Sequence, residues 1–254
     1  MNILWLFAHP EARSLNGALR DVALAELRKA GHRIEQSDLY RMNWNPVVSA
    51  GDYDHDPTGR LHVATASSTA LRRGTLAKDI VTEQAKLRRA DAVVLQFPLW
   101  WFSMPAILKG WVDRVFVEGF GYGIRSEAGS TRRYGDGLMS GKRALIVTSM
   151  GGSEHTVSTR GINGSLEELL FPIHHGIFFY TGMSVLPPVL VASADRMTPK
   201  AYREAVDGLT DRLSTLFTDS PIAYRSQSDG NYDENFMLRS HLAPDEFGVR
   251  VHVG

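Results

Sequence analysis

Three short stretches carry residue types suited to holding a ligand: "AHPEARSLN" (8–16), "FPLWWF" (97–102) and "TSMGGSEHTVS" (148–158). In the first, a loop enters a helical pattern, and the free N–H groups that open a helix can receive a phosphate. Ser14 is a suitable N-cap and His9 can donate to a phosphate oxygen, although both would equally serve to brace the turn. In the second, Trp101 and Phe102 offer an apolar wall for a flat ring, with backbone N–H groups of Leu99 and its neighbours near polar ring edges. Aromatic clusters more often fill cores; position just past a strand end is what favours a ligand wall here. In the third, Thr148 and Ser149 precede Gly151 and Gly152, which would let main-chain N–H groups approach a ligand carbonyl or anionic nitrogen.

Other chemistries fare worse. The first loop has neither GxGxxG nor GxxxxGK[ST], so the usual dinucleotide fingerprint and the P-loop are both missing. "GDYDHDP" (51–57) crowds Asp52, Asp54, His55 and Asp56 and could be drawn as a metal site, but a solvated acidic loop is the simpler reading, and no metal is expected. His174 and His175 cannot both point one way on a strand and read as structural. With no cysteine, the chain has no disulfide, thiolate metal site or cysteine nucleophile, which suits a reducing compartment. Lys plus Arg and Asp plus Glu are both 28, so no global field favours nucleic acid or an anionic membrane.

The elements that must position these loops alternate. "NILWLFA" (2–8), "HRIEQSDLY" (32–40), "DAVVLQFP" (91–98), "KRALIVTSM" (142–150) and "GMSVLPPVLV" (182–191) read as strands. Helical periods lie at 15–31, with Gly31 as a stop, and at 77–90, 105–116 and 198–217, the last with Pro199 in its first turn. Such alternation predicts a doubly wound α/β fold with a parallel sheet, whose ligands sit outside the carboxyl ends of the strands. Residues 43–76 read as a polar insertion within a main domain of 1–220, and 221–254 as a C-terminal arm. The apolar run 169–194 is long enough to span a membrane, but its prolines, glycines and histidine pair favour a buried strand plus loop. The N-terminus lacks a basic region before its short apolar run and reads as a first strand, not a signal peptide.

"QFPLWWFSMPAILKGWVDRVFVEGFGY" (96–122), "AHPEARSLNGAL" (8–19), "GGSEHTVSTRGINGSL" (151–166) and "FPIHHGIFFYTGMSVLPP" (171–188) resemble the NAD(P)H:quinone oxidoreductase family of flavodoxin-like flavoproteins. The resemblance implies a five-stranded sheet of order 2-1-3-4-5. It also implies a cytoplasmic homodimer with FAD, rather than FMN, at sites on the subunit interface, without membrane insertion. His9, Ser14, Leu15, Asn16 and Ala18 would hold the phosphates and ribityl chain. Pro98, Leu99, Trp101 and Phe102 would line the ring, and Ser149, Gly151 and Gly152 would meet its pyrimidine edge. Arg203 would stand near the adenine, Tyr122 and Tyr180 would close the quinone and nicotinamide pocket from the partner, and Phe236 would reach it from the arm. The chain departs from the family at Val157 and Asn163, where well-known members carry a tyrosine and a histidine, at Ile124 for a tyrosine, and at Trp100 for a glutamine. Asn163, Gly151 and Tyr122 are then the residues expected nearest the chemistry, although Asn163 cannot take up a proton. The function expected is two-electron reduction of quinones by NAD(P)H in a ping-pong mechanism. The alternatives are a flavin-binding ancillary subunit of a membrane transporter and, with less support from the balanced charge, a one-electron carrier.

Overall fold

A computed structural model describes residues 1–254. Five parallel strand positions run in the order β2-β1-β3-β4-β5, with β6 also paired to β4. They are β1 (Asn2–Phe7), β2 (Arg33–Asp38), β3 (Ala92–Pro98), β4 (Arg143–Ser149), β5 (Ser184–Val185) and β6 (Val189–Val191). The strand expected over 182–191 is therefore two, split at Pro187-Pro188. Proline donates no ladder hydrogen bond, so pairing to β4 stops and then resumes.

Alternation along β1, β3 and β4 sorts side chains into two cores. Leu4, Leu6, Val93, Leu95, Ala144 and Ile146 face one way, while Ile3, Trp5, Phe7, Val94, Leu145 and Val147 face the other. The second core is covered by α1 (Leu15–Lys29) and α6 (Pro199–Ser214). The first is covered by α2 (Val63–Arg73), α3 (Lys78–Arg89), α4 (Ala106–Val115) and α5 (Leu166–Ile173). The expected stops and starts hold: Gly31 follows α1 with φ +82°, and Thr198 caps α6 ahead of Pro199.

Three local expectations are overturned. The 43–76 segment is not a mere polar connection, since it contains α2. Its acidic stretch is not simply solvated either, because Asp52 is buried against the Arg114 guanidinium at 2.7 Å. That contact anchors the connection to α4 and uses the carboxylate a metal would need; no group of three or more His, Asp or Glu is placed to hold a cation. Finally, the 169–194 run begins as helix, not strand. Ser165 and Glu168 form a capping box for α5, and α5 continues into a π-helical turn over His174–Phe179. No helix is long and apolar enough to cross a membrane.

The arm, residues 221–254, folds back onto the domain through Ile222 N–H to the Val185 carbonyl (2.7 Å) and Gln227 N–H to the Tyr134 carbonyl (3.2 Å), and closes on itself through Arg225 N–H to the His252 carbonyl (2.9 Å) and Gly254 N–H to the Ala223 carbonyl (2.7 Å).

Candidate active site

The carboxyl ends of β1, β3 and β4 bring the three loops to one place, and a buried polar chain fixes them there. Trp5 Nε1 donates to Gln96 Oε1 (3.0 Å), Gln96 Nε2 donates to the Asn16 carbonyl (2.7 Å), and Asn16 Nδ2 donates to Ser149 Oγ (2.8 Å). Gln96 is fully buried in the middle of β3, where an unpaired amide would be strongly unfavourable, so these bonds dictate how α1 and the β4 loop sit. Sequence reasoning assigned Gln96 no role; the signal available was a polar residue inside the apolar run "AVVLQFP".

At the first loop, Ser14 caps α1 by accepting from Gly17 N–H (3.1 Å). A Cβ on Gly17 would lie 1.9 Å from the Ala12 carbonyl oxygen, so glycine is what lets the loop lie against the helix start. The N–H groups of Leu15 and Asn16 donate to no protein acceptor, and with the helix dipole they form a cradle for an anion. His9 borders it, with Nδ1 3.1 Å from the Glu11 backbone; Leu15 and Ala18 are half-buried at the same helix start.

The second loop turns sharply after Pro98. Trp101 and Phe102 both have left-handed backbone (φ +49° and +62°), which holds their rings outward; Trp101 is 94% exposed. Two adjacent non-glycine residues in this region carry backbone strain, a pattern that marks ligand clamps. The expected role of the Leu99 N–H is corrected: it donates to the Ser149 carbonyl at 2.8 Å and pins the two loops together, leaving the N–H groups of Trp101 and Phe102 as the free donors. Trp100, the residue in place of a glutamine, lies beside the His9 ring (centroids 6.3 Å) and so joins the aromatic wall to the anion cradle.

In the third loop, Gly151 and Gly152 are exposed and their N–H groups have no protein acceptor. Ser149 is buried and its hydroxyl is taken up by Asn16, so both side chains brace the loops from beneath. Val157 points into the main core and lines no ligand wall. Asn163 is half-buried, and its N–H holds the loop closed on the Thr156 carbonyl (3.0 Å).

The remaining residues are not brought to this cluster within one chain. Tyr122 and Tyr180 share a shallow groove of 250 Å³ with Phe116, Gly176 and Ile177, away from the three loops. Burial raises the Tyr122 phenol pKa, the Ser67 hydroxyl opposes the shift, and Glu118 and Tyr180 add to it. Phe236 lies at a cavity under the arm, and Arg203 is exposed on α6 without a hydrogen bond or ion pair.

An exposed flat wall flanked by an anion cradle and a pair of free glycine N–H donors suits a phosphate-bearing planar heterocycle such as a flavin. Residues 1–213 match the family described as having a flavodoxin-like fold. The chain is 47% identical to a ribosyldihydronicotinamide dehydrogenase-like protein of Penicillium crustosum, over 91% of this chain and 87% of that one. It is 37% identical to NAD(P)H dehydrogenase [quinone] 1 of Rattus norvegicus, over 99% and 93%. A solved structure from Klebsiella pneumoniae, described as a candidate quinone reductase, superposes with a TM-score of 0.96 at 44% identity, covering 100% of both chains. Likeness that runs through all three loops and the sheet beneath them is likeness of the whole catalytic frame: the chain is an oxidoreductase belonging to the NAD(P)H:quinone oxidoreductase family of flavodoxin-like proteins.

Proposed function

We propose that the protein is a cytoplasmic, homodimeric, FAD-dependent reductase that passes two electrons from NAD(P)H to quinones and similar flat acceptors. The observation that carries the reading is the convergence of the exposed Trp101–Phe102 wall with free N–H donors on both sides of it. The chemistry a bound flavin supplies is hydride uptake from NAD(P)H and delivery to the acceptor. Leu15 and Asn16 N–H groups, with His9, would hold the phosphates. Trp101 and Phe102 would stack the ring, and Gly151 and Gly152 N–H groups would face the edge where negative charge gathers on reduction. These donors are fixed before any ligand arrives, because Gln96, Asn16 and Ser149 hold their loops. Asn163 can hydrogen-bond but not gain a proton, so backbone dipoles carry the charge stabilisation.

FAD in preference to FMN follows the resemblance over 8–19 and 96–122. A homodimer is supported by the placement of the tyrosines: one chain leaves the wall open, and a second copy's Tyr122 and Tyr180 would close it. A chain without cysteine suits the reducing cytoplasm. Donor and acceptor would use the same face in turn, giving ping-pong kinetics. Visible absorption of the purified protein, with mass analysis of the released cofactor, should show FAD. Initial rates with NADH or NADPH and menadione should give parallel double-reciprocal lines. A colourless protein that FAD cannot reconstitute would refute the reading, and intersecting lines would refute the shared site.

A further inference from the structure

Beneath the C-terminal arm lies a cavity of 340 Å³, outside the three strand-end loops and bordered on one side by Phe236. His175 is sandwiched there between Phe171 (centroids 4.5 Å, 12° between planes) and Tyr134 (4.8 Å, 29°). The Arg133 guanidinium continues the stack, 5.7 Å from the Tyr134 ring and 4.7 Å from the Phe236 ring. Tyr232 and His252 stack at 6.0 Å and share a hydrogen bond, the Tyr232 oxygen lying 2.9 Å from His252 Nδ1.

Two cations reach this aromatic space without a carboxylate partner. Arg133 Nε donates to Gln227 Oε1 (2.7 Å) and Arg225 Nε to the Val251 carbonyl (3.1 Å), while their terminal nitrogens donate to no protein group. Asp229, the acidic residue nearest in sequence to Gln227, accepts from the Ser226 N–H (3.0 Å). Both imidazoles are held neutral: burial, then His252, pushes His175 down to about 4, and burial, then Arg225, lowers His252. Among the side chains that line the cavity, the charges near neutral pH are therefore the two guanidinium groups. His175 Nε2, in a ring nine-tenths buried, meets no protein partner.

We propose that this cavity binds a flat aromatic anion, with its ring against the aromatic walls and its acidic group on Arg133 and Arg225. Guanidinium forks match carboxylate and sulfonate oxygens, and stacked rings bind other rings by their faces. The site is built from the arm, α5, the π-turn and the α4–β4 loop that carries Arg133 and Tyr134, and includes no residue of the three strand-end loops.

The test is calorimetric titration of 2-naphthalenesulfonate into the flavin-loaded protein, with 2-naphthamide as the uncharged control. Saturable binding of the sulfonate is expected, weakened about tenfold or more by Arg133→Gln and by Arg225→Gln, as loss of a charged contact predicts. The amide should bind the wild type and both variants equally weakly. Arg225→Lys, which keeps the charge, should recover part of the affinity and shows whether the arm has simply loosened. Retained visible absorbance in each variant locates the loss under the arm. Absent binding, or sulfonate affinity unchanged in both glutamine variants, would overturn the proposal.

Discussion

The strand-end loops and the π-turn under the arm both bury polar groups, and they treat them oppositely. Around Gln96, Asn16, Thr148 and Ser149, no buried side-chain nitrogen or oxygen is left without a partner. In the π-turn, His174 and His175 are both buried and both have an unpartnered Nε2. A satisfied network specifies one geometry, as a site that must present donors in fixed directions requires. An unsatisfied one stores an electrostatic penalty that acid, or a ligand, can draw upon.

The largest effect that would break this contrast is acidification. Burial holds the folded-state values of His174 and His175 at about 4, below the ordinary 6.5. The unfolded chain therefore takes up protons first, and stability present above pH 6.5 is lost as pH falls towards 4. Urea unfolding should show a loss on the order of 2 kcal/mol per ring between pH 7 and 5, and His174→Leu should remove one ring's share. Equal pH slopes in variant and wild type would show that these imidazoles are not held neutral.

Next is Gln96→Leu. It strands Trp5 Nε1 and releases the Asn16 carbonyl, which should destabilise the fold by about 1–3 kcal/mol and weaken flavin retention on dialysis. Unchanged retention would mean that the loops keep their geometry without the chain of hydrogen bonds. Tyr232→Phe removes one bond, to His252, and should cost about 0.5–1.5 kcal/mol, seen as faster amide exchange confined to the arm. The smallest effect belongs to Trp100→Gln, which loses the ring contact with His9. A shift of about 0.5–1 kcal/mol in flavin affinity is expected, with the thermal midpoint little changed.

The two regions were also unequally legible. β1, α1, β3, α4 and β4 follow from their apolar runs and caps, because one sheet buried on both faces dictates nearly continuous hydrophobic strands. The π-turn was hidden for a related reason: "LLFPIHHGIFFY" is apolar on either side of its histidine pair, so no period separates helix from strand, and Pro172 within the run argued against a helix. α2 was missed because "VATASSTALRR" is dominated by small and hydroxyl-bearing residues that read as loop. At the site, the loops were readable from residue type, but the busy Leu99 N–H and the buried Asn16–Ser149 pair depend on partners more than 45 positions away. Tyr122, Tyr180 and Phe236 came from resemblance alone, and their separation from the three loops within one chain is what makes a second copy part of the reading.

The outward turn of Trp101 gives the molecule an optical handle. Of its five tryptophans, Trp5, Trp44 and Trp111 are buried, whereas Trp100 and Trp101 stand in water on the one loop. Emission should therefore resolve into a blue, iodide-resistant component from the core and a red, iodide-quenchable one from the ligand wall. A fall in the red component on adding FAD is the outcome expected of the proposed wall, and it needs no substrate, label or coupled assay.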